Sequence, residues 1–244
     1  MLGKDRIIEL IRSLTQEARK DGAGQAEALY VGSHASTSRF ANSAVMQNIR
    51  ESDRTVYFRV LLDKKLGMAS TNSLHIDDLR RCLKKAAAIA RQSKPLKFFD
   101  SLPGPSEYPK VKTYFPETAN LTALDKIKTL EHIFKKANKY ADKSAATIGG
   151  AFSTLESEIG IVNSNALTAY QPCTSAHISL ITSSASASGF ASQFERNAKN
   201  IDAEKLLSVA MGKTILKKKA RKLKPGQYAV ILEPPAVNEI LEWL

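Results

Sequence analysis

Apolar positions in the first twenty residues recur every three to four places. Ile7, Ile11, Leu14 and Ala18 share one face and Gly22 follows, which predicts a helix over 5–21. The period then drops to two. AEALYVGSHAS (26–36), RFANSAVMQNIRES (39–52) and RTVYFRVLLD (54–63) read as three successive strands. In the last of them Val56, Phe58, Val60 and Leu62 alternate with Tyr57 and Arg59, as in a sheet with one face on a core. DKKLG supplies turn residues before a short strand at LGMAS, so an antiparallel meander is expected. A second helix begins at TNSLHIDDLRRC, with Asp77 and Asp78 in its first turn. Its predicted buried stripe is Leu79, Cys82, Leu83, Ala86 and Ala90.

Residues 93–118 interrupt this grammar. They hold five of the nine prolines, which forbid regular structure, together with Phe98, Phe99, Tyr108, Tyr114 and Phe115. Those rings predict a connector pinned against a surface. A third helix follows over 120–143, with Thr122 and Asp125 at capping-box spacing and an apolar side of Leu124, Ile127, Leu130, Phe134, Ala137 and Ala141. Further strands are expected at 147–164, 166–171, 174–185 and 188–196, with a turn at Asn163–Asn165. A helix from 203 carries Leu207, Met211 and Ile215 at steps of four. A turn at Pro225–Gly226 leads into a strand, YAVIL, and a last helix opens at Val237.

The fold class expected is α+β: two helix-plus-antiparallel-sheet parts joined by a Pro- and aromatic-rich segment. The expected divisions are 1–92, a connector at 93–118, a central part at 119–225, and 226–244 as the opening strand and helix of a missing C-terminal domain.

Composition alters this picture at one point. The net charge is +12 with a pI near 9.6, and Lys213, Lys217, Lys218, Lys219, Arg221, Lys222 and Lys224 supply much of it with no acid among them. A solvated helix end, favourable to the helix dipole, and a phosphate-binding patch both fit this 213–224 cluster. The apolar runs are too short to cross a bilayer, and the N-terminus lacks the stretch of a secretory signal. Cys82 and Cys173 stand far apart, with no CxxC pair, which suits a reducing cytoplasm.

Motifs that carry chemistry are lacking. His34, His75, His132 and His177 are isolated, and none is followed by Glu, so no HExxH-type helix occurs. No glycine pattern matches a phosphate cradle, and no GxSxG elbow surrounds the serines of SSASASGFAS. Cys82 reads as a small core residue. No catalytic, cofactor-binding or metal-binding residue is therefore assigned.

The order of segments nevertheless resembles a known family. TSRFANSAVMQNIRESDRTVYFRVLLDKKLGMASTNSLHIDDLRRCLKKAAAIARQS is similar to the N-terminal domain of the TldD/PmbA proteins, with its RFAN strand end, G-x-A-S-T-N and IAR helix end. SEIGIVNSNALTAYQ resembles their central hairpin, with Asn165-Ala166 where a glycine is usual. LKPGQYAVILEPPAVNEILEWL resembles the opening of their C-terminal half. The resemblance implies cytoplasmic proteins of peptide processing and proteolysis, first named as modulators of DNA gyrase. TldD-type members carry a zinc motif, HExxxH, on the helix after that strand; PmbA/TldE-type members lack it and pair with a TldD-type subunit. Matching registers place Asn238, Glu242 and Trp243 at the motif's positions, and none is His. The resemblance thus points to a metal-free PmbA/TldE-like partner subunit, with zinc only in a TldD-type partner or beyond residue 244. Its expected partners are a TldD-type subunit or a second copy of itself, and extended or unfolded peptides. Three other readings stay open: a nucleic-acid-associated protein using 213–224, a metallopeptidase whose metal site lies beyond 244, and a hydrolase whose groups converge only in the fold.

Overall fold

Two tight turns set the strand lengths of the first half. Asn42 and Ser43 both have positive φ (49° and 58°), as do Asp63 and Lys64 (47° and 65°). This is the two-residue hairpin geometry whose twist matches that of the strands it joins. The three expected strands over 26–63 are therefore two long ones, β1 (Gln25–Ala41) and β2 (Ala44–Leu62), followed by β3 (Lys65–Thr71). The expected breaks near 37 and 53 mark polar stretches of continuous strand, where alternation persists without apolar residues. The computed structural model describes residues 1–20, 24–144, 147–185, 187–215 and 224–244.

The second half repeats the plan. β4 (Thr147–Asn163), β5 (Thr168–Ser183) and β6 (Ser188–Glu195) form another meander, and the two strands expected over 166–185 fuse into β5. Pro172 lies inside β5, but β6 pairs only with Ala176–Ser183, so the proline interrupts no second ladder. One antiparallel sheet of order β3-β2-β1-β4-β5-β6 results, because β1 pairs with β4 over Glu27–Phe40. The α+β class is as expected, and the sheet runs unbroken through both halves.

All the packed helices lie on one face. Ala26, Ala28, Tyr30, Val56, Phe58 and Val60 point to that face and are buried under α1 (Lys4–Lys20) and α2 (Ile76–Gln92). At the opposite end of the same face Phe40, Ile148, Phe152, Ile178 and Leu180 are buried under α4 (Ala123–Ser144) and α5 (Ala203–Ile215). A bulge between Arg39 and Phe40 brings Val45 opposite Phe40, turning it toward this second core. The other face of the sheet exposes Leu155, Ile159, Ile181 and Phe194.

The halves correspond residue by residue. β1 and β4 are each 17 residues long. Aligning their ends puts Ile11 on Ile133, Tyr30 on Phe152, Phe58 on Leu180 and Gly67 on Gly189, all of the apolar ones buried. The two glycines serve one purpose. A Cβ on Gly67 would stand 2.0 Å from the Ala86 carbonyl of α2, and one on Gly189 would stand 2.0 Å from the Ala210 carbonyl of α5. Only glycine lets each helix approach its edge strand so closely.

The connector 93–118 is a strap. Pro95 bridges to Lys65, Leu102 is buried, and Gln25, Asn163 and Asn165 hydrogen-bond to residues 101–103. Thr113 and Phe115 then bond along the β5 edge at Pro172 and Thr174, before the short α3 (Pro116–Ala119). The pinning is mostly polar: Phe98 is fully exposed and Tyr108 is half exposed, while Tyr114 and Phe115 are half-buried.

Two helix faces differ from expectation. The buried stripe of α4 is Lys126, Leu130, Ile133, Phe134 and Ala137, whereas Leu124 is 59% exposed. Ile215, expected on the apolar face of α5, is 41% exposed. The Thr122–Asp125 capping box forms in both directions: Thr122 N–H donates to Asp125 Oδ2 (3.0 Å), and Asp125 N–H donates to Thr122 Oγ1 (3.2 Å). Tyr228–Leu232 forms no strand; it is exposed and precedes α6 (Pro234–Leu241), which is exposed throughout.

Candidate functional site

Between its two cores the helix-backed face of the sheet is polar. α1 reaches over one end of the β1–β4 pair and α4 over the other, so the middle of the strands carries no apolar cover. The ladder registers place Arg50 and Ser52 of β2 beside Ser36 and His34 of β1. These in turn lie beside Thr154 and Glu156 of β4. A hollow of about 350 Å³ opens here, lined by His34, Ser36, Asn48, Arg50, Thr154 and Glu156 and roofed by the segment 118–123.

His34 stands at the centre, paired with Glu156 at the pseudo-twofold relation of the halves. The Met1 ammonium is 3.2 Å from His34 Nε2, and Ser52 Oγ is 2.7 Å from Nδ1. An ammonium can only donate, so Nε2 accepts and Nδ1 carries the proton given to Ser52. Tyr114 OH donates to Glu156 Oε1 at 3.0 Å, and the phenol's pKa is raised, chiefly by burial and then by this carboxylate.

Two buried charged groups flank the hollow. Glu158 is fully buried and accepts from Leu2 N–H (2.7 Å), Gly3 N–H (3.1 Å), Tyr170 OH (2.8 Å) and Tyr30 OH (3.4 Å). Four donors, two at the start of α1, replace the water that a buried carboxylate loses. Burial, with Glu158 alongside, pushes Tyr30 up to about 12 and Tyr170 higher still.

Lys126 is the second. It is fully buried, and its Nζ donates to the Ser36 carbonyl (2.6 Å) and to Ser36 Oγ (2.8 Å). No described carboxylate forms an ion pair with it. Burial, and secondarily the Arg50 guanidinium, pulls Lys126 down to about 8.

The candidates considered from sequence lie apart from one another. His34 is in the hollow; His75 is exposed at the start of α2. His132 pairs with Glu204 at 2.5 Å, and His177 stacks near Phe194 with ring centroids 6.4 Å apart. Cys82 is in the first core, its thiol pushed up by burial, and Cys173 accepts from Arg196 at 3.2 Å. Asn238, Glu242 and Trp243 are exposed on and after α6. Among the described residues no three His, Cys, Asp or Glu side chains converge as a metal site. Lys213 donates to Glu233 Oε2 at 2.5 Å, whereas Lys217, Lys218, Lys219, Arg221 and Lys222 lie outside the described residues. No described helix is long and apolar enough to cross a membrane.

No motif in the sequence marks Ser36, Lys126 or Glu158. The available signal was a lysine sharing a helical stripe with Leu130, Ile133 and Ala137, since lysine is almost never fully buried without a specific partner.

The fold and this polar waist define an α+β protein built on one long-stranded sheet backed by helices at both ends. Residues 26–90 match the family model for PmbA/TldA metallopeptidase domain 1. The fold is similar to that of TldE from Thermococcus kodakarensis (TM-score 0.74, 20% identity, 84% of this chain and 47% of that one). It is similar also to proposed modulators of DNA gyrase from two bacteria. For that of Thermotoga maritima the TM-score is 0.76 at 20% identity, over 90% of this chain and 50% of the other. For that of Bacteroides thetaiotaomicron it is 0.83 at 18% identity, over 99% and 56%. Residues 26–90 thus carry a domain of the PmbA/TldA type, within a chain whose fold is similar to these proteins over most of its length. The chain spans about half the length of these solved relatives. Comparison with curated proteins gave no match.

Proposed function

We propose that this chain is the peptide-holding part of a metal-free, PmbA/TldE-like partner subunit, which presents extended polypeptides to a TldD-type metallopeptidase. The observation that carries this reading is an open sheet edge. β3 pairs with β2 only from Val56 to Leu62, so Ala44–Thr55 is laddered to β1 on one side alone. An extended peptide can add to such an edge through backbone hydrogen bonds that are indifferent to its sequence. Its side chains would then alternate between the polar hollow, with Arg50 and Ser52, and the opposite face of the sheet. Arg50, Glu51, Asp53 and Arg54 guard the same edge against self-pairing without closing it.

A photo-crosslinking amino acid at Gln47, with a second at Ser192 on the β6 edge as control, tests this with a labelled unfolded peptide. Capture at position 47 is expected, weakened at least tenfold when alternate peptide nitrogens are methylated. Equal capture at both edges, or indifference to methylation, overturns it.

A further inference from the structure

Ser36 and Lys126 sit 90 residues apart in sequence and meet where Ser36 lines the hollow, with Lys126 buried behind it. Several features of this contact go beyond fastening α4 to β1. An apolar side chain could fasten the helix without the cost of burying an ammonium that no described carboxylate pairs with. Lys126 is instead held at two points. The Ser36 carbonyl fixes Nζ at 2.6 Å, and the hydroxyl of the same residue lies at 2.8 Å, within the reach a general base needs. The two partners also differ in access. Lys126 is fully buried, while Ser36 is only half-buried and lines the open hollow.

A third group lies beside the pair. Arg50 is the direct ladder partner of Ser36 on the same face and lines the same hollow. Asn48, two residues along β2, accepts from Ser38 Oγ through Oδ1 at 2.6 Å, which fixes which end of its amide is occupied. Its NH2 end and the Arg50 guanidinium are the donors available to an oxyanion.

We propose that Ser36 and Lys126 form a nucleophile–base pair, and that the hollow above them accepts small acyl esters for transfer to Ser36 Oγ. Neutral Lys126 takes the hydroxyl proton as the bond from Oγ to the carbonyl carbon forms. The bond from that carbon to the alcohol oxygen breaks, and the alcohol leaves with the proton from Lys126. Water then attacks the acyl-serine, its proton passing to Lys126 and on to Ser36 Oγ as the carboxylic acid departs. No metal or redox partner enters the balance. The depressed lysine, near 8, supplies a useful neutral fraction just above neutral pH. This activity does not rest on the peptide edge, because a small ester can enter the hollow with no strand added to β2.

The test treats the chain with a fluorophosphonate probe and with p-nitrophenyl acetate from pH 6 to 10, followed by intact mass and peptide mapping. A single adduct on Ser36 is expected, its rate rising with pH and levelling above the lysine's titration. Ser36→Ala should abolish the adduct, and Lys126→Met should slow it at least about a hundredfold. If Lys126→Met fails to fold, the wild-type pH profile and Ser36→Ala decide alone. No adduct on Ser36 by pH 10, an adduct spread over other serines, or a rate flat with pH overturns the proposal.

Discussion

The two halves of the sheet are built alike and fastened differently. In each, a first helix reaches across the central seam to grip the other half's long strand. The gripped positions correspond: Ser36 on β1 and Glu158 on β4. The chemistry is inverted. α4 brings a buried cation, Lys126, to a neutral serine, while the start of α1 brings two backbone N–H groups to a buried carboxylate. Glu158 is fully satisfied by its donors, so its site reads as structural. Lys126 has hydrogen bonds but, among the described residues, no opposing charge, and its site reads as chemical. Equivalent places in one architecture can thus be spent on stability in one half and on reactivity in the other.

Core truncation should break the comparison most forcefully. Ile11 and Ile133 occupy matching positions and are buried to the same degree. Ile11→Ala and Ile133→Ala should each cost about 2–5 kcal/mol in urea unfolding. A single transition is expected for each variant, seen alike by probes in both halves, because the β1–β4 ladder joins the cores. Two separable transitions would show that the seam does not couple them.

The pH dependence separates the two anchors. The folded state holds Lys126 near 8, below its ordinary 10.5, so between these values the unfolded chain binds more protons. Stability therefore rises with pH across that window, by up to about 3 kcal/mol. Tyr30 and Tyr170 act oppositely. Their folded pKa values are raised, so above the ordinary 10.0 the unfolded chain loses phenolic protons that the folded chain keeps, and stability falls. Denaturation from pH 7 to 11 should show a rise followed by a fall. Lys126→Met should remove the rise and leave the fall.

The smallest contrast concerns helix starts. α4 has the Thr122–Asp125 box, which also holds the Asp125 carboxyl below its usual range, whereas α1 starts on contacts to Glu158. Thr122→Ala should cost about 1 kcal/mol and show as faster hydrogen exchange confined to the first turn of α4. Loss of protection in α1 as well would mean that the two starts are coupled through the hollow.

What the sequence disclosed follows the range of the forces involved. The helix at 76–92, its stripe from Leu79 to Ala90 and the capping box at Thr122 were legible because their partners lie within a few residues. Strand breaks were misplaced at Ser36–Ser38, Ser52–Asp53 and Pro172–Cys173, since polar residues in a strand look like a turn when the surface they line is out of view. Tyr228–Leu232 has the alternation and apolarity of a strand, yet an edge to pair with is a property of the fold, and no described strand pairs with it. The meeting of Ser36 with Lys126, and of Leu2 with Glu158, had no local trace beyond one lysine on an apolar stripe.

The seam carries a last consequence, for assembly. β1 and β4 run antiparallel at the middle of the sheet, so either half alone would expose a strand of seventeen residues along its whole length. Such an edge is self-complementary about a twofold axis, and a severed half could regain its lost partner only from a second copy of itself. The strap that carries the chain from α2 toward α4 keeps the proper partner at high effective concentration, and so makes an internal pairing of what would otherwise be a dimer contact.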